Sequence, residues 1–125
     1  MNLQRLLFIH AMILFGAGIV LIASPDQILR PIGIWLKPEA YLTCYLLGAA
    51  ELAMAFLSYF SRGIQEVRAL RLVCITFVLF HMLTAFVELY AIAQGASLSV
   101  LINVGLRCSI SGLFAWYALR KRIEQ

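Results

Sequence analysis

Apolar residues run almost unbroken through four stretches of the chain, at about 6–23, 40–60, 70–93 and 98–119, and short polar links separate them. Each stretch reaches the roughly 20 residues that a helix needs to cross the hydrocarbon of a bilayer. Backbone N–H and C=O groups have no water to bond with there, so a lone segment crosses as a helix and not as an open strand. The pattern therefore predicts an all-α fold, an integral membrane four-helix transmembrane bundle, as a single domain over residues 1–125.

The links differ in character. The first run follows Arg5 and stops at Ser24-Pro25-Asp26. It is read as a span and not as a secretory signal, because it is longer than a signal core, contains His10, and belongs to a chain that keeps Met1. Residues 27–39 mix Ile28, Leu29, Ile32, Ile34, Trp35 and Leu36 with Arg30, Pro31, Gly33, Lys37 and Pro38. That stretch is too short to span, and its aromatic and basic residues suit a short interfacial segment between the first and second helices. A polar link from Arg62 to Arg68 precedes the third run, Gln94-Gly95-Ala96-Ser97 has the composition of a tight turn, and Arg120-Lys121-Arg122 stops the fourth.

Polar groups interrupt the apolar runs at matched depths. At about 1.5 Å per residue, Glu51, His81 and Arg107 fall near the middles of the second, third and fourth spans. Glu88 and Asn103 are each about six residues from the outer ends of their spans and form a second polar level. Helical spacing puts these groups on single faces: Cys44, Gly48, Glu51, Ala55 and Ser58 on the second span, Cys74, His81, Thr84 and Glu88 on the third, and Ser99, Asn103, Arg107 and Ser111 on the fourth. A charge at the bilayer centre costs roughly 2.5–3.5 kcal/mol on insertion scales, so such groups are expected to meet one another. Arg107 is expected to pair with Glu51, Glu88 or both through its planar fork, with His81 and Asn103 filling the remaining acceptors. Such a network either fixes helix register or marks a ligand or proton site. His10, nearer the cytoplasmic end of the first span, is either a packing histidine or a member of the same site.

Composition sharpens the picture. With 63% hydrophobic residues, 13% charged residues and a mean hydropathy of +0.93, the natural solvent of the chain is lipid. The net charge of +4 does not point to nucleic acid, because the basic residues sit at the ends of apolar runs and form no stripe on a soluble face. Arg5, Arg62, Arg68, Arg71, Arg120, Lys121 and Arg122 lie on one side, against Arg30 and Lys37 on the other. By the positive-inside rule, both termini and the central link are cytoplasmic in a multi-pass protein of the cell membrane. Cys44, Cys74 and Cys108 lie in separate runs with no Cys-x-x-Cys pair, which disfavours disulfide-relay chemistry and suits small buried apolar residues.

For function, the interior polar groups leave three classes open. In the first, the protein binds a lipophilic small molecule, or supports a membrane complex or homo-oligomer, with Asn103, Thr84, Ser111 and His10 as ligand contacts. In the second, a membrane enzyme performs acid/base isomerisation, epoxide opening or cyclisation on an isoprenoid or sterol-like substrate. Glu51, His81, Glu88 and Arg107 would then be its catalytic groups. In the third, a small transporter couples protons to a cation, but four-helix exporters of that kind carry a glutamate in the first span, where this chain has none. No cofactor is expected. His10 and His81 differ by about five residues in depth, which does not suit paired haem ligation, and no metal-binding or Ser/His/Asp motif is evident.

In layout, the chain resembles the small four-helix bacterial membrane proteins of the DoxX-like group and the uncharacterised families near it. The likeness rests on a first span closing in a Pro-containing loop at Ser24-Pro25-Asp26, a Gly-Ala-Ala-Glu stretch ending at Glu51, and an Arg-rich link before the third span. It implies a four-helix membrane fold and often an accessory role, and it transfers no catalytic residue.

Overall fold

A computed structural model of the chain describes residues 2–33 and 35–119, and these contain helices and turns with no strand. The helices are α1 (Leu3–Ala23), α2 (Asp26–Leu29), α3 (Tyr41–Phe60), α4 (Val67–Ala93) and α5 (Leu101–Leu119), with single 3-10 turns at Arg30–Ile32, Pro38–Ala40, Ser61–Gly63 and Leu98–Val100. Four segments, Leu3–Ala23, Pro38–Gly63, Val67–Ala93 and Leu98–Leu119, are long and apolar enough to cross a membrane. The Arg120-Lys121-Arg122 stop and Ile34 lie outside the described residues. The chain divides after Gly63 into two compact units, each built on one pair of antiparallel helices.

In the first unit, α1 starts at Asn2, whose side-chain oxygen accepts from the Arg5 amide at 2.9 Å and so satisfies one of the open N–H groups of the first turn. It ends before Pro25, which supplies no N–H to continue the ladder. Leu3, Leu7, His10, Leu14, Gly18 and Leu21 form its buried stripe at helical spacing. On α3 the buried residues are Cys44, Gly48, Glu51, Ala55 and Ser58, the face that the sequence pattern predicts. The two helices approach most closely where both stripes carry glycine. A Cβ on Gly18 would stand 2.8 Å from the Gly48 carbonyl oxygen, and one on Gly48 would stand 2.9 Å from that of Gly18. Small residues facing each other on two stripes are what permits backbones to approach this closely.

The link between α1 and α3 does not run as plain coil. It contains α2, then the Arg30–Ile32 turn closed by Gly33 in the left-handed region, φ 76°. Asp26 ties the link together: its carboxylate accepts from Arg30 at 2.9 Å and from the Tyr41 hydroxyl at 3.1 Å, and the Arg30 guanidinium lies 5.4 Å from the ring of the exposed Trp35.

In the second unit, α4 buries Leu70, Cys74, Phe77, His81 and Ala85. Phe77 meets Phe114 of α5 with ring centroids 4.9 Å apart. Gly95, at φ 101°, ends α4 in a Schellman arrangement: the Ala96 amide donates to the Ala91 carbonyl and the Gly95 amide to that of Ile92, each at 3.0 Å. Ser97 then caps the next turn by accepting from the Ser99 amide at 3.2 Å. The outer faces of the helices carry large exposed apolar side chains, among them Phe56, Leu83, Phe86, Ile102 and Trp116. A soluble monomer rarely exposes so continuous an apolar surface.

Candidate functional site in the second helical pair

The α4–α5 pair brings together three of the polar residues that the sequence singles out. Glu88, in the last third of α4, accepts on Oε1 from Asn103 Nδ2 at 2.6 Å and from Arg107 Nε at 2.9 Å. Asn103 and Arg107 stand one turn apart on α5, so both side chains can reach a single oxygen across the helix pair. The group is mostly enclosed, the side chains of Arg107 and Glu88 being 12% and 19% exposed. The other carboxylate oxygen, Oε2, is buried and has no hydrogen-bond partner among the described residues. A carboxylate oxygen withdrawn from water with no donor of its own forgoes its hydrogen bonds, so Oε2 is the unfilled acceptor of the cluster.

This geometry changes one detail of the sequence expectation. Helical depth puts Arg107 at the level of Glu51 and His81, but its side chain extends to the Glu88–Asn103 level. The contact to Glu88 is made through Nε, at the root of the guanidinium. Glu51 and His81 are both buried, at 2% and 1% exposure, on the stripes of α3 and α4. They belong to different units. His81 sits edge-on to Phe80, with centroids 5.3 Å apart. Thr84 directs its hydroxyl to its own helix, donating to the Phe80 carbonyl at 2.8 Å with the His81 carbonyl at 3.0 Å. Ser111 is buried on α5, whereas Ser99 lies in the preceding 3-10 turn and is exposed.

His10 occupies a second polar contact, within the first unit. Ser58 Oγ donates to the Leu7 carbonyl at 2.9 Å and also lies 2.9 Å from His10 Nδ1. A hydroxyl has one proton, and with that proton directed to Leu7 the Ser58 oxygen accepts from His10, which places the proton on Nδ1. Both residues are buried, so the contact links α1, about two turns from its start, to the last turn of α3. Sequence reasoning placed Ser58 on the polar stripe but did not foresee this bond. The signal available was a histidine and a serine near the same end of two adjacent spans.

Among the described residues, no group of three His, Cys, Asp or Glu side chains is placed to hold a metal ion. No protein-family model matches the chain, and comparison with curated proteins and with solved structures gives no match in either case.

Proposed function

We propose that the chain is a multi-pass protein of the cell membrane, and that its α4–α5 pair binds a lipophilic small molecule through an intramembrane polar site. Four segments of sufficient length and hydropathy, together with outer faces rich in exposed Leu, Phe and Ile, support placement in a bilayer. The Lys and Arg distribution supports cytoplasmic termini. The observation that carries the ligand reading is the asymmetry of Glu88, whose Oε1 takes two donors while its buried Oε2 takes none. A purely architectural ion pair gains nothing from a buried unfilled acceptor. A ligand with a hydroxyl or amine at the end of an apolar body fills that acceptor and leaves its body among the spans.

The test is extraction of the protein from its native membrane in mild detergent, followed by mass spectrometry of the intact complex, for the wild type and for Glu88→Gln. The amide oxygen of glutamine still accepts from Asn103 and Arg107, but the acceptor at Oε2 becomes a donor. The reading expects a small-molecule adduct on the wild type that is lost from the variant. A folded wild type that carries no adduct, or one held equally by the variant, contradicts it.

A further inference from the structure

The first unit carries two adjoining depressions far along the chain from Glu88. One, of about 330 Å³, is lined by Asn2, Gln4, Arg5, Phe8, Ile9 and Arg62, at the end where α1 begins and α3 stops. The other, of about 230 Å³, lies deeper between the same two helices and is lined only by apolar and aromatic side chains, including Met12, Phe15, Phe56, Tyr59 and Phe60. They follow one face of α1, because Arg5, Phe8, Ile9, Met12 and Phe15 recur at helical spacing. Arg62 joins them: it lines the polar depression, and its guanidinium lies 4.9 Å from the Phe8 ring of that depression and 5.2 Å from the Tyr59 ring of the apolar one.

The charges of this end are one-sided. Within the first unit the acidic residues are Asp26, Glu39 and Glu51, of which Asp26 and Glu39 lie in and next to the link between α1 and α3, and Glu51 lies mid-helix. Among the described residues, no carboxylate pairs with Arg5 or Arg62, and the buried Nε of Arg62 has no hydrogen-bond partner. Two cations and two amide side chains at the mouth of an apolar groove match an anionic head on a hydrocarbon tail. In a bilayer the groove offers an acyl chain shape but no gain over neighbouring lipid, so selectivity has to come from the head.

We propose that the α1–α3 pair holds one anionic phospholipid of the leaflet at its N-terminal side, with the phosphate on Arg5 and Arg62 and an acyl chain along Met12, Phe15, Phe56 and Tyr59. The site rests on the membrane placement proposed above but is independent of the Glu88 cluster.

The test is native mass spectrometry of the full chain in detergent, titrated in parallel with phosphatidylglycerol and phosphatidylcholine of the same acyl chains. The expected result is a single bound phosphatidylglycerol, retained about tenfold better than phosphatidylcholine and weakened by added salt. Arg62→Gln and Arg5→Gln should each reduce that preference, and Arg62→Lys should keep most of it. Should Arg62→Gln lose helicity by circular dichroism, the salt dependence of the wild type and the Arg5→Gln variant decide the matter. Equal retention of the two lipids by a folded wild type, or a preference unchanged by salt, overturns the site. Failure of the chain to partition with membranes at all would instead remove the placement on which it rests.

Discussion

Glu88 is the residue on which the second helical pair turns, since two α5 donors converge on one of its oxygens inside an apolar span. Removing the carboxylate takes away the oxygen that accepts from both Asn103 Nδ2 and Arg107 Nε. Glu88→Ala should therefore destabilise the fold by about 1.5–3 kcal/mol, the usual contribution of hydrogen bonds to a charged group. Glu88→Gln should cost clearly less, because its amide oxygen still accepts. Reversible unfolding in mixed micelles measures both, and equal stability of the alanine variant and the wild type would show that the pair does not hold α4 to α5. These residues were legible in the sequence, because an ionisable group within an apolar run is conspicuous and its partners must lie within side-chain reach. Ser58 and His10 were not legible as a pair, since a serine in a span can bond to its own helix and the two stand 48 positions apart.

At the level of elements, hydropathy and period located the four long helices and the buried face of α3 in full. The ends were less legible. The sequence puts a polar link through Arg68, yet α4 begins at Val67, so Arg68 is helical. Charged residues are good helix formers outside the hydrocarbon, where hydropathy carries no signal. Helical spacing puts Ser99 on the polar face of the fourth span, but the chain is still in a 3-10 turn there and Ser99 is exposed. Glycine positions also divide in a way that the sequence alone does not reveal. Gly48 faces backbone at 2.9 Å, whereas a Cβ on Gly112 would meet nothing within 4 Å. Gly48→Ala should thus force α1 and α3 apart and lower the unfolding midpoint, while Gly112→Ala should leave it unchanged or raise it through helix propensity. Thermal unfolding of the two variants side by side checks this, and equal effects would argue against the glycine contact.

For the whole molecule, the proposed bilayer placement is supported by the exposed helix faces, which carry large apolar side chains such as Phe86, Leu83 and Ile102. Each helical pair supplies its own polar contact, His10 with Ser58 in one and Glu88 with Asn103 and Arg107 in the other, and each contact ties neighbouring helices across an apolar seam. In the proposed placement, charge sets the side of insertion: the link at Ser61–Gly63 and Glu66 goes with the Arg-rich side, and the links holding Glu39 and Ser97 go with the opposite one. The most direct measurement replaces the three native cysteines by alanine, introduces Glu39→Cys, Glu66→Cys or Ser97→Cys singly, and labels intact cells and inside-out vesicles with a membrane-impermeant maleimide. Four crossings with cytoplasmic termini predict labelling of positions 39 and 97 from outside the cell and of position 66 only in the vesicles. Labelling of positions 66 and 97 from the same side would mean that α4 does not cross the bilayer, and the account would be contradicted.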